Sequence, residues 1–292
     1  MKRLLFLIAM IATLQPAYAQ QSEKGLKDIY ANYFRIGTCF PGGHTGTNET
    51  ALRNVILREF NSITHENGLK PQSTMQQSGS TDNDIKVSFN SEAKNVMQFA
   101  VDNNIPIRGH TFVWHSQTPE WFFFANMQSG NKNALATKEV MYKRMESYIK
   151  NMFAKINEEY PTLNLYAYDV VNEIFDNNGQ PRTGGFYSDN NNGDVSPWVK
   201  IFGDNSFADS AFVLARKYAP PGCKLFYNDF NEYMGKTDAM VALYNRLKAK
   251  NAIDGIGMQS HLSTSYPSAA QYTTALNKFI AAGAEIHVTE LD

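Results

Sequence analysis

Seven short apolar runs, each finishing in polar residues, alternate along the chain with longer stretches in which apolar residues recur every three or four positions. The runs are FRIGTCF (34–40), FNSITHEN (60–67), IPIRGHTFVWH (105–115), LYAYDVVNE (165–173), CKLFYNDF (223–230), IDGIGMQSH (253–261) and EIHVTEL (285–291). Each reads as a buried strand. The stretches between them read as helices over 48–59, 91–103, 137–159, 206–218, 237–250 and 268–282. Ser91 with Glu92 and Thr237 with Asp238 mark expected helix starts, and Gly283 an expected stop. Pro106, Pro161 and Pro220-Pro221 fall where helices give way to strands. The segment 176–205, rich in Asn, Asp and Gly, has no periodicity and reads as one extended loop.

Strands that alternate with helices run parallel and connect with a right-handed crossover, so all their C-terminal ends meet at one face. An open doubly wound sheet and a (β/α)8 TIM barrel both satisfy that rule. No G-x-G-x-x-G or P-loop follows any strand, and every strand ends in polar residues, which favours the α/β barrel with its active site at the strand tips. A barrel needs eight strands and the pattern supplies seven. The expectation is therefore an incomplete barrel over 20–292, from a longer protein whose eighth βα unit is missing here.

The first residues belong to no strand or helix of this scheme. Lys2 and Arg3, an apolar stretch from Leu4 to Leu14 and the small-x-small Ala17-Tyr18-Ala19 form the order of a secretory signal peptide over 1–19. That leader predicts a secreted or periplasmic protein. A net charge of -1 provides no basic excess for nucleic acid or an anionic membrane surface, so neither is an expected partner, and a monomer is expected. Cys39 and Cys223 fall on the first and fifth strands, on opposite sides of a barrel, and are expected to be buried free thiols. No metal-ligand spacing occurs, and no cofactor is expected.

Placing the strand ends around one mouth collects Glu66, Asn67 and Lys70; His110, Trp114 and His115; Asn172 and Glu173; Asn228 and Asp229; Gln259 and His261; and Glu290 and Asp292. Ending an apolar strand on an acid is costly unless the acid has a use. Two carboxylates facing across a cleft suit glycosidic bond cleavage, one protonating the leaving oxygen while the other stabilises or attacks the anomeric carbon. A carboxyl left beside apolar groups has its pKa raised and serves as the acid; one bonded to His261 and an amide stays ionised. Tyr227, Asn228 and Asp229 read as supports of the mouth, Trp198 and Phe202 as packing, and His44 and His65 as structural or solvated.

The segments NSITHENGLK, RGHTFVWHSQTPEW, DVVNEIF, SPWVKIFGDNSFADSAF, KLFYNDFNEY, GIGMQSHL and EIHVTELD, in this order, resemble glycoside hydrolase family 10, the retaining endo-β-1,4-xylanases. The resemblance runs from about residue 22 to the last residue. It implies that Glu173 is the acid/base and Glu290 the nucleophile, with His261 bonded to the nucleophile and oriented by Asp292. It also implies that Asn67, Lys70, His110, Trp114 and Gln259 line the sugar subsite beside the cleaved bond, and that Asn172 holds the 2-hydroxyl of that sugar. Glu66 stands beside them as a further substrate-binding candidate. The substrates implied are xylan and xylo-oligosaccharides, with a carboxyl separation of about 5 to 5.5 Å for a retaining enzyme. Another β-1,4-glycan such as cellulose, or a non-catalytic carbohydrate-binding barrel, are the alternative readings. Pro71-Gln72 follows Lys70 where many family members carry Trp-Glu, so subsites further from the cut are expected to differ. The family's eighth strand and its tryptophan-bearing loops are expected to lie beyond Asp292.

Overall fold

Residues 23–43, 47–128, 134–190 and 194–292 are described by a computed structural model. The leader at 1–19 and His44 lie outside the described residues. All seven expected strands form: β1 (Gly37–Phe40), β2 (Ser62–His65), β3 (Ile107–Trp114), β4 (Leu165–Asn172), β5 (Lys224–Asp229), β6 (Gly255–Met258) and β7 (Glu285–Val288). They build one sheet in sequence order, and every neighbouring pair is parallel. Six helices make the crossovers: α1 (Thr47–Glu59), α2 (Ser91–Asp102), α3 (Lys138–Glu159), α4 (Phe207–Tyr218), α5 (Thr237–Lys248) and α6 (Ala269–Ala282).

The sheet is strongly curled, and a single contact measures the curl. Four strand spacings separate β3 from β7, roughly 19 Å in a flat sheet. Yet Arg108 Nε on β3 reaches His287 Nδ1 on β7 at 3.4 Å. Arg108 also makes a two-pronged ion pair with the fully buried Asp169 on β4 inside the curve. Gly257 on β6 makes room there: a Cβ at that position would stand 2.3 Å from Asn228 Oδ1 and 3.1 Å from Arg108 Nη2. This is the sheet of a (β/α)8 TIM barrel, with seven consecutive βα strands among the described residues. The outer face of the sheet is apolar. Phe112 stacks on Tyr168 at 3.8 Å between ring centroids, and Phe153 of α3 packs edge-on against both.

Several expectations are corrected by the structure. The N-cap of α2 is Asn90, whose side chain accepts from the Ala93 N–H at 2.9 Å, because its extended backbone presents the carboxamide one residue before Ser91. No side chain caps α5, since the Thr237 hydroxyl donates instead to the carbonyls of Glu232 and Met234. Gly283 does stop α6, at φ 78. Cys223 is buried, but Cys39 is exposed, because β1 is an edge strand whose side chains alternate towards solvent. Trp198 and Phe202 are packing residues as expected, both buried, with Trp198 Nε1 donating to the Trp114 carbonyl at 3.1 Å.

Two regions hold structure that periodicity did not reveal. A hairpin, Met75–Thr81 with Asp84–Val87, follows β2; its first strand is mostly exposed and polar, so it carries no apolar alternation. Within 176–205, Thr183–Gly184 pairs with Val195–Ser196, and Pro197–Phe202 is helical, with Ser196 as its cap. Arg182, in this same segment, is buried.

Candidate active site

A strand sends successive side chains to opposite faces, so Asn172 and Glu173 should diverge. They do not, because Glu173 leaves the strand with a left-handed backbone, φ 56. That conformation costs a non-glycine residue roughly 1 to 3 kcal/mol and is sustained only by its surroundings. The result is that the Gln259 amide Nε2 donates to both neighbours, to Glu173 Oε1 at 2.8 Å and Asn172 Oδ1 at 3.3 Å. The same device recurs after β6. Ser260 has φ 60, which lets Gln259 turn to Glu173 while His261 turns to Glu290.

Asn228, at the tip of β5, is the hub between the two acids. Its Nδ2 donates to Asn172 Oδ1 at 3.0 Å and to Glu290 Oε1 at 2.8 Å, while its Oδ1 accepts from Thr289 at 2.7 Å. Glu173 and Glu290 are thereby joined through a short chain of buried amides: Gln259, Asn172 and Asn228. Asn172 is 1 % exposed and its Nδ2 has no partner among the described residues. A buried N–H donor without a partner is costly, and it marks a polar group whose position between the two acids is held by its own Oδ1 contacts.

Around this centre stand the remaining residues. His261 Nε2 lies 3.5 Å from Glu290 Oε2, and its Nδ1 lies 3.0 Å from Asp292 Oδ2. Trp114 Nε1 donates to Glu173 Oε2 at 2.8 Å. Lys70 Nζ donates to Asn67 Oδ1 at 2.9 Å and sits over the Trp114 ring, 5.3 Å from its centroid. His110 is buried with Nδ1 at 3.0 Å from Asp169 Oδ2, its ring 6.1 Å from that of Trp114. Glu66 is exposed at the rim, where its charge acts on Lys70. Burial pulls the Lys70 ammonium below its ordinary pKa, against the opposing pull of Glu290 and Glu66. Asn67, Lys70, His110, Trp114, Asn172, Gln259, His261 and Asp292 are thus linked by contacts to one another or to the two acids, with Glu66 exposed beside Lys70.

The protonation of Glu173 differs from the expectation of an acid beside apolar groups. Burial pushes its carboxyl up. The donated bonds from Gln259 and Trp114 and the positive charges of His115 and Arg182 outweigh this and hold it below the ordinary carboxylate range. Donors on both oxygens favour the ionised carboxylate. Behind it, burial raises Asp229 to about 6 despite its ion pair with the buried Lys236. Among the described residues no cluster of three or more His, Cys, Asp or Glu is arranged to hold a metal ion.

A profile described as Glycosyl hydrolase family 10 matches residues 25–292. The chain belongs to this family. Among family 10 relatives, endo-1,4-beta-xylanase Y of Acetivibrio thermocellus is 49% identical over 273 residues, covering 91% of this chain and 25% of its own. The bifunctional endo-1,4-beta-xylanase XylA of Ruminococcus flavefaciens is 46% identical over 277 residues, covering 93% of this chain and 27% of its own. The solved CBM22-1 and GH10 modules of a Clostridium thermocellum endo-1,4-beta-D-xylanase, in complex with xylohexaose, superpose with a TM-score of 0.85. They are 47% identical and cover 92% of this chain and 53% of theirs. The chain thus spans about a quarter of the length of these curated family 10 relatives and about half of that structure.

The residues that sequence reasoning missed are those that act on backbone. Arg182, Asn205 and Tyr227 each bond a main-chain group of Glu173 or Ile174. Tyr227 was legible only as a general support of the mouth. Arg182 and Asn205 sit in the aperiodic segment, where no pattern marks them.

Proposed function

We propose that this chain carries the cleft of a secreted hydrolase that cuts internal β-1,4-xylosidic bonds of xylan with retention of configuration. The observation that carries the proposal is the pair of acids, Glu173 and Glu290, joined by one chain of amides at the strand tips. The names of the relatives and the xylohexaose bound to the solved neighbour support xylan as the glycan. The leader at 1–19 supports export.

In the first step Glu290 Oε attacks the anomeric carbon, while Glu173 gives its proton to the departing glycosidic oxygen. An ester to Glu290 forms and the C–O bond of the glycoside breaks. Glu173, now ionised, then takes a proton from water, whose oxygen displaces Glu290 and restores both carboxyls. Asn228 and His261 hold Glu290, and Asp292 fixes the His261 ring. Asn67, Lys70, His110, Trp114 and Gln259 form the walls against which the sugar is oriented. Glu173 takes up a proton from solvent before the first step, and the bound glycan, by excluding water from the carboxyl, favours that protonated form.

Glu173→Ala in the full-length protein is expected to lower xylan cleavage by about 10²-fold or more. It should spare formation of the glycosyl-enzyme from aryl xylobiosides with a good leaving group. Proton NMR of the first product from a xylo-oligosaccharide should show the β-anomer. An initial α-anomer, or faster release of sugar from β-glucan than from xylan, would refute the corresponding part of the proposal.

A further inference from the structure

The left-handed turn at Glu173 ends the sheet's ladder after one last inter-strand bond, and three further polar backbone groups of Glu173 and Ile174 must find partners elsewhere. In that last bond the Glu173 N–H donates to the Asn228 carbonyl at 2.9 Å. The other three partners are side chains. Arg182 Nε donates to the Glu173 carbonyl at 2.6 Å, the Ile174 N–H donates to the Tyr227 hydroxyl at 3.1 Å, and Asn205 Nδ2 donates to the Ile174 carbonyl at 3.1 Å.

These side chains are themselves fixed. Arg182, Tyr227 and Asn205 are at most 9 % exposed. The Tyr227 hydroxyl also donates a short bond to Asp229 Oδ2, and Lys236 Nζ donates to Asp229 Oδ1 at 2.9 Å with both charges fully buried. The Arg182 guanidinium lies over the Phe230 ring at 5.9 Å and is 3.4 Å from the exposed Asp194 carboxylate. Buried groups with several partners resist rotation, so a backbone held by them keeps one geometry.

We infer that Arg182 and Tyr227 are positioning residues that clamp the left-handed Glu173–Ile174 peptide and so aim the Glu173 carboxyl at the scissile oxygen. The inference rests on the reading of Glu173 as acid/base. Neither side chain touches substrate. Their effect is confined to the steps in which Glu173 moves a proton, because a carboxyl displaced from the leaving oxygen still leaves Glu290 free to attack. Arg182 has a second effect that Tyr227 lacks: its positive charge is among those that hold Glu173 ionised, together with His115 and against Asp229.

The test uses the full-length protein and two aryl β-xylobiosides, one with phenol and one with dinitrophenol as leaving group. Arg182→Met and Tyr227→Phe are expected to lose about 10-fold or more in kcat/KM on the phenyl substrate and to stay within about twofold on the dinitrophenyl one. With Arg182→Met the alkaline limb of kcat/KM should also move to higher pH. With Tyr227→Phe it should stay. Arg182→Lys, which keeps the charge but has no Nε at the carbonyl, should restore the limb and not the rate. Equal losses on both substrates, or none, overturn the clamp. Should Arg182→Met not fold, Tyr227→Phe and Asn205→Ala carry the same comparison. Glu173→Ala is the control: if it shows no dependence on leaving group, the acid/base reading and the clamp fall together. A dependence in Glu173→Ala that is absent from the other variants sinks the clamp alone.

Discussion

At the scale of single residues, chemical identity and aim come from different sources. Glu173, Glu290, Asn172, Gln259 and His261 are legible in the sequence because acids and amides that end apolar runs have few other uses. That Asn172 and Glu173 face the same way is not legible, since it depends on φ values of 56 at Glu173 and, for the Gln259 and His261 pair, 60 at Ser260. The donors on Glu173 yield a pH prediction. Gln259→Leu or Trp114→Phe removes a bond that favours the ionised carboxylate, so the carboxyl pKa rises. The alkaline limb of kcat/KM, which reports the free enzyme's essential acid, should then move to higher pH in both variants. A limb that stays in place would mean that these bonds do not set the proton affinity of Glu173.

At the scale of elements, the six crossover helices and seven strands follow the apolar periodicity closely, and their junctions depend on individual side chains. His65 on β2 is one of these. Its Nε2 is 3.1 Å from the Ala93 carbonyl in the first turn of α2, and burial pulls the imidazole down to about 4, further than that bond raises it. The unfolded chain therefore takes up the proton first as pH falls. The stabilisation tied to neutral His65 is complete above about 6.5 and is lost progressively down to about 4, at most about 3 kcal/mol in total. Urea unfolding midpoints between pH 7.5 and 4.5 measure this loss, and His65→Asn should flatten it. An unchanged slope in that variant would assign the acid sensitivity to other groups. The hairpin after β2 shows the opposite case. Its first strand carries no apolar alternation, and it is tied to α3 by polar side chains: Arg144 to Asp82, Ser147 to the Ile85 N–H and Asn151 to Asp84 and the Ile85 carbonyl.

At the scale of the whole molecule, curvature brings β3, β4 and β7 together. Arg108 and Asp169 are buried opposite charges inside the curl, and Arg108 also reaches His287 on the far strand. A buried pair owes little of its net value to attraction, but losing one partner strands a charge. Arg108→Met should cost about 3 to 5 kcal/mol of unfolding free energy, and the double variant Arg108→Met with Asp169→Leu should recover part of it. Equal destabilisation by the single and double variants would show that the pair shapes the interior by packing alone. The same curl carries His110 beside Asp169, so the interior charge pair and this buried histidine share one carboxylate.

The sequence by itself determined the order of strands and helices, the parallel direction, the face on which the polar ends gather and the chemical identity of the groups there. Local patterning suffices for these, because period, turn residues and strand polarity are properties of consecutive positions. Only the tertiary structure decided the rest: the left-handed turns that set neighbouring side chains onto one cluster, the amide chain between the two acids, the donors that hold the Glu173 carboxyl below its ordinary range and the buried side chains of Arg182, Tyr227 and Asn205 on its backbone. Each of these depends on groups far apart in the chain, and on the low-dielectric interior that their packing creates.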